Sequence, residues 1–147
     1  MVMVALLDST VLIDFVGSSV PERHAASHVI NAAANQRFEG VVALQTVQEI
    51  LHARRLRGVD IQSALTYARW VGESFRVLSH EADDATVMLD ILGEHSSLGS
   101  ADAMIYACGL RGDVDLIVTR DKTLGRVVGE AWIDPMDPDS LGRLIGS

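Results

Sequence analysis

"MVALLDSTVLIDF", residues 3–15, opens as an unbroken apolar run and changes character at Asp8. Residues 3–7 carry no polar side chain, as expected of a strand covered on both faces. Asp8 and two hydroxyl residues, Ser9 and Thr10, follow at once, and a helix is expected over 10–17. A buried strand that passes into a helix is the first half of an α/β unit. The carboxylate at the junction either caps the helix or belongs to a site.

The same alternation continues outward from this stretch. "VVAL" (41–44), "FRVL" (75–78), "LIV" (116–118) and "AWI" (131–133) read as further buried strands. Helices are expected near 22–36, 46–57, 60–73, 80–94, 100–111, 122–129 and 138–145. Short continuous apolar runs between helices predict an α/β sandwich with a mainly parallel sheet. No repeat, low-complexity tract or long Pro/Gly linker interrupts the pattern, so a single domain over 1–147 is expected. Local signals agree with these elements. Pro21 suits a first helical turn, Asp60 a cap, and Gly58 and Gly112 suit helix ends. Ile61, Leu65, Ala68 and Val71 recur near helical spacing. Trp70 and Met104 read as packing residues.

The chain of 147 residues is long enough to bury a substantial core, and 48% of it is hydrophobic. No segment approaches the roughly 20 apolar residues of a membrane span. "MVMVALL" is too short for a signal peptide, lacks a basic leader and ends at Asp8. A single cysteine, Cys108, excludes an internal disulfide and cannot build a cysteine-based zinc cluster alone. A cytoplasmic location is therefore expected. The formal net charge of −8 argues against a protein that coats nucleic acid nonspecifically. It leaves room for an acidic site that recruits divalent cations. Among the basic residues, Arg54, Arg55 and Arg57 cluster in "HARRLRG", where they suit a solvated helix end or a phosphate contact. His24 and His28 are one helical turn apart, but "HAASH" lacks the glutamate of the zinc-protease pattern.

In such a sheet, ligands gather beyond the carboxyl ends of the strands. Asp8 follows the first strand, and Asp121 in "LIVTRDKTL" follows the fourth. Glu49 in "LQTVQEIL" and Asp102 in "GSADAMIYA" fall in first helical turns after strand ends or loops. Each acid has an ordinary explanation. Asp8, Ser9 or Thr10 suits an N-cap, and "TVQE" suits a capping box with Thr46 as cap and Glu49 reaching back. Asp102 suits the helix dipole after a Ser100 cap, and Asp121 suits a cap before Lys122. Together these explanations require four unrelated coincidences. Two carboxylates about 4 Å apart repel by roughly 4 kcal/mol at an effective dielectric near 20. Four acids in one crevice must therefore raise one another's pKa or hold a cation. Mg²⁺ or Mn²⁺ fits an all-oxygen donor set and can activate water against a phosphodiester. Thr10 and Thr119 are candidate supporting donors that orient the carboxylates.

The blocks "LLDSTVLID", "TVQEIL", "SADAMIYA" and "LIVTRDKTL", in this order and spacing, resemble the PIN-domain nucleases and, more narrowly, their VapC-type toxins. The likeness spans essentially the whole chain. It implies a three-layer α/β/α sandwich with a mainly parallel central sheet of four to five strands. It also implies a Mg²⁺- or Mn²⁺-dependent ribonuclease site at Asp8, Glu49, Asp102 and Asp121, with Thr119 in support. Asp8, Asp102 and Asp121 are the expected metal-site residues. An RNA substrate, a small antitoxin partner and a homodimer are implied as well. Two positions depart from the family pattern. Thr123 stands where many members carry a further acid, which weighs against stable binding of a second metal. Leu124 stands where an aromatic residue is common.

Other classes compete with this reading. A haloacid-dehalogenase-type phosphatase requires a second Asp two residues after the first, and Thr10 occupies that place. A phospho-receiver domain requires an acidic pair after the first strand and an Asp after the third, and "FRVLSH" offers none. A non-catalytic domain that keeps the fold to bind RNA or a protein partner remains the serious rival.

Overall fold

Alternation within each strand sorts the apolar side chains to two faces. In a computed structural model that describes residues 2–146, the strands are β1 (Val4–Leu7), β2 (Glu39–Ala43), β3 (Arg76–Leu78), β4 (Leu116–Val118) and β5 (Trp132–Ile133). They form one sheet in the order β3-β2-β1-β4-β5, with every neighbouring pair parallel. Ala5, Leu7, Val42, Leu116 and Val118 point to one face, and Leu6, Val41, Ala43 and Ile117 to the other. Both sets are buried, which is why the strands read as continuous apolar runs.

Helices α1 (Ser9–Phe15), α2 (Val20–Ala34), α3 (Leu44–Leu56), α4 (Ile61–Ser74) and α8 (Pro138–Ile145) contribute to the core of the first face. Val11, Leu12, Val29, Ile50, Val71 and Leu144 supply its apolar contacts. Helices α5 (Ala82–Glu94), α6 (Ser100–Arg111) and α7 (Lys122–Val128) cover the second face with Ile91, Ile105, Cys108 and Leu124. The result is the three-layer α/β/α sandwich expected, with five strands, all parallel. Each fully buried Leu or Ile contributes roughly 1.5–3 kcal/mol, so this two-sided core is the main source of stability. No described helix is long and apolar enough to cross a membrane.

Several local expectations hold. Pro21 lies in the first turn of α2, and Asp60 caps α4 by accepting from the Ser63 amide at 2.9 Å. Gly58 follows α3 at φ +79°, a conformation that favours glycine. Trp70 packs on Phe15 and Tyr67 with an exposed edge, and Leu124 is fully buried.

Three expectations are corrected. Strand β2 passes into α3 with no intervening loop, and Ala43 is the N-cap. Thr46 is therefore inside the helix and cannot cap it, and Glu49 falls in the second turn rather than the first. The apolar residue Leu44 had suggested a longer strand, yet it begins the helix and is 54% exposed. In α6, Gly99 occupies the N-cap position and Ser100 is already helical, so no Ser100 cap precedes Asp102. Gly112 is the C-cap of α6, the helix-end place expected of it, with right-handed backbone at φ −74°.

Candidate metal centre

The chain leaves β1 toward β2 and β3 on one side, while β4 and β5 lie on the other. Crossovers on opposite sides of β1 open a crevice at the carboxyl ends of β1 and β4. Asp8 stands at this point. Its amide donates to the Val118 carbonyl at 2.9 Å, which extends the β1–β4 ladder by one step. Asp8 occupies the N-cap position of α1, but its carboxylate makes no capping bond.

Two threonines aim at that carboxylate instead. Thr119 Oγ1 donates to Asp8 Oδ2 at 2.8 Å, and Thr10 Oγ1 donates to the same oxygen at 3.1 Å. Each hydroxyl is itself oriented by a backbone amide. The Asp121 amide donates to Thr119 Oγ1 at 3.0 Å, and the Arg120 amide donates to Thr10 Oγ1 at 3.2 Å. A hydroxyl that accepts from an amide keeps its proton for the other side, so both protons point at Asp8. The second oxygen, Asp8 Oδ1, is buried with no partner. An unpaired buried carboxylate oxygen is costly, and a cation is the natural remedy.

Glu49 repeats the arrangement. Its Oε2 accepts from Ser9 Oγ at 3.1 Å, and its Oε1 is buried without a partner. Asp121 is also a true helix cap, because its Oδ1 accepts from the Thr123 and Leu124 amides at 2.8 and 3.3 Å. Asp102, in the first turn of α6, completes the group. Burial pushes its pKa up to about 7, helped by the charges of Asp8 and Asp121, a hydrogen bond shared with Asp121, and the charge of Glu49. Burial also raises Asp8 against the pull of the Thr119 and Thr10 hydroxyls and of the nearby Ser9 and Thr10 amides. It raises Glu49 too, against the Ser9 hydroxyl and with help from the Asp8 charge. The four acids thus share one field, and the donor set is oxygen alone. It suits a hard divalent ion such as Mg²⁺ or Mn²⁺.

The basic cluster divides. Arg54 is half-buried, donates through Nη1 to the Val16 carbonyl at 3.2 Å, and lies over the Tyr67 ring at 5.8 Å from its centroid. It is part of the scaffold, whereas Arg55 and Arg57 are exposed.

Three features of the site were not expected from the sequence. Ser9, weighed only as a cap, holds Glu49. Arg120 pairs with Asp14 across 106 residues. Trp132 donates from Nε1 to the Thr119 carbonyl at 2.9 Å while its indole lies against Gly125. A Cβ at Gly125 would stand 2.1 Å from that ring, so only glycine fits. The tetrapeptide "SADA" and the residue pair Ser9–Thr10 carry a signal in the sequence; the long-range partners do not.

One trio of ligand-type side chains among the described residues has atoms converging within 4.8 Å, and it lies elsewhere: His80, Asp84 and Cys108. A cation is already present there. Arg111 donates to Asp84 through Nε at 2.9 Å and Nη2 at 3.2 Å, and its Nη2 lies 3.9 Å from Cys108 Sγ. The Glu81 amide also donates to Asp84 at 2.9 Å. Arg111 thus supplies the positive charge that Asp84 requires, while His80 Nδ1 is buried without a partner.

The family model described as the PIN domain matches residues 5–130, a span that contains all four acids. Solved structures share the fold. A toxin–antitoxin complex from Klebsiella pneumoniae is 17% identical over 89% of this chain and 97% of that one, with a TM-score of 0.64. VapBC-1 from nontypeable Haemophilus influenzae is 13% identical over 92% and 100%, with a TM-score of 0.70. PAE2754 from Pyrobaculum aerophilum is 22% identical over 99% and 91%, with a TM-score of 0.66. No curated protein sequence matches. With the parallel sheet, the acids at its crevice and the family model all in register, the chain belongs to the PIN-domain family.

Proposed function

We propose that the chain is a Mg²⁺- or Mn²⁺-dependent endoribonuclease of the VapC type, the toxin of a toxin–antitoxin pair. One observation carries this reading: Asp8 and Glu49 each present a buried, partnerless oxygen beside Asp102, whose pKa is driven to about 7 by burial and three neighbouring acids. Asp8, Asp102 and Asp121 would hold the ion through carboxylate oxygens, with Thr10 and Thr119 orienting Asp8. A bound ion supplies Lewis acidity at a phosphoryl oxygen and lowers the pKa of water. Glu49, with a raised pKa and a free Oε1, holds the attacking water or takes its proton. Hydrolysis forms a bond from the water oxygen to phosphorus and breaks the P–O3′ bond. The 3′ oxygen gains a proton, leaving a 3′-hydroxyl and a 5′-phosphate.

Arg55 and Arg57 are the candidate phosphate contacts, with Arg54 as their scaffold. Such contacts orient RNA without reading its sequence. The exposed apolar side chains of Leu56 and Trp70, with Phe15 behind, suit an antitoxin. A homodimer and a cytoplasmic location complete the reading. Incubating the purified protein with a panel of structured RNAs, in Mg²⁺, Mn²⁺ or chelator, tests it, with mapping of the product ends. Metal-dependent cleavage with 5′-phosphate products supports the proposal. No cleavage of any RNA, with or without metal, favours a non-catalytic interaction domain.

A further inference from the structure

Arg120 lies between Thr119 and Asp121; its side chain feels the charge of Asp121 but bonds to none of the four acids. Its guanidinium forms a two-bonded pair with Asp14, Nε to Oδ2 at 2.7 Å and Nη2 to Oδ1 at 3.0 Å. Arg120 is 42% exposed in its side chain and Asp14 12%, so the pair is shielded on the Asp14 side and held by two-bonded geometry. The amide of the same Arg120 donates to Thr10 Oγ1. Thr10 and Asp14 are four residues apart on α1 and share a face of that helix. Arg120 therefore grips two successive turns of α1, one through its backbone and one through its side chain.

We propose that Asp14 and Arg120 form a positioning clamp for the acid site, holding the β4–α7 turn in the register where Thr10 and Thr119 both donate to Asp8. The inference rests on the reading of the acids as a metal centre. Neither clamp residue touches the ion or the substrate. If the turn slides, the Arg120 and Asp121 amides leave the two hydroxyls, and these lose their direction toward Asp8 Oδ2. Simple charge makes the opposite forecast for one variant. Removing Arg120 deletes a cation and leaves Asp14 unpaired, which alone should draw Mn²⁺ more strongly.

The test uses Arg120→Gln and Asp14→Asn in the full chain, with two measurements. Calorimetric titration should give about tenfold weaker Mn²⁺ binding in both variants, the scale typical of groups that orient a ligand. Amide exchange followed by NMR in the metal-free protein should quicken about tenfold at positions 120 and 121. The amides of Asp8 and Thr119, bonded to Val118 and Ile133, serve as unchanged controls. Arg120→Lys should recover part of both effects, because an ammonium cannot reproduce the two-bonded fork. Equal or tighter Mn²⁺ binding by Arg120→Gln overturns the clamp. If the wild type binds no Mn²⁺, the metal-centre reading fails by itself. Exchange at residues 120 and 121 then decides the clamp: faster supports it, unchanged overturns it.

Discussion

Asp8 and Asp84 are each only 1% exposed, but Asp8 lies deep in the protein while Asp84 sits close to the surface beneath Arg111. Their pKa values move in opposite directions. Asp84 is held low, above all by its hydrogen bonds from the Arg111 guanidinium. Asp8 is driven up by burial, and its neighbours offer only hydroxyls, amides and more carboxylates. One cluster folds with its own counter-ion; the other gathers charge of a single sign. Burial of a carboxylate is thus no signature of function. The informative quantity is what remains unbalanced once every partner is counted.

The largest expected break in this comparison is chemical. Asp102→Asn keeps the shape but removes a charge from the acid group, so RNA cleavage in Mn²⁺ should fall by at least about 100-fold while the fold survives. Equal cleavage by the variant would remove Asp102 from the machinery. A role limited to the helix dipole would change stability by only about 0.3–1 kcal/mol and leave cleavage intact.

Next in size is the response to metal. At a Mn²⁺ concentration about 100 times its Kd, the folded state gains about 2.7 kcal/mol. For a chain of this length, that raises Tm by roughly 8 °C. Asp8→Asn should lose most of the rise. Without metal its Tm should equal or exceed that of the wild type, because one repelling charge is gone. The matching substitution in the balanced cluster, Asp84→Asn, should do the reverse. It should lower the metal-free Tm by several degrees, since Arg111 loses its counter-charge and one oxygen must serve where two accepted from Arg111 and the Glu81 amide. Mn²⁺ should stabilise that variant as much as the wild type.

The smallest expected effect is on pH dependence. Asp102 titrates near 7 when folded and at its ordinary 3.8 when unfolded, so the metal-free folded chain holds the extra proton between those values. Its contribution is complete below 3.8 and is lost as pH rises toward 7. Asp84 has the opposite sign: its contribution is present above 3.8 and is lost as pH falls through its lower folded value. Metal-free wild type should therefore melt a few degrees higher near pH 5 than near pH 7.5. Asp102→Asn should flatten that trend, and calorimetry at both pH values checks it.

The contrast between these clusters also marks what could be read without coordinates. Strands such as "LIV" announced themselves because both of their faces are covered. Asp8 and Asp121 were legible because strand ends in an α/β sheet are where ligands collect. The start of α3 was misplaced by two residues, since the absence of a loop after β2 leaves no turn residue to mark it. That shift turned Thr46 from an expected cap into a buried helical residue. The Asp14–Arg120 and Asp84–Arg111 pairs span 106 and 27 residues, distances over which no local pattern links two charges. Their ordinary-looking acids and arginines became distinguishable only once the helices were packed.

The contact of Trp132 with Gly125 and Thr119 has a spectroscopic consequence. The chain contains two tryptophans, and they occupy different neighbourhoods. Trp132 is hydrogen-bonded to the residue that orients Asp8, whereas Trp70 stacks with Phe15 and Tyr67 near the exposed apolar surface. Intrinsic fluorescence can therefore be split into two channels by Trp70→Phe and Trp132→Phe. The first variant leaves an emitter beside the acids, and the second leaves one at the aromatic cluster. Cation entry and partner docking would then be followed separately, in real time and without an added label.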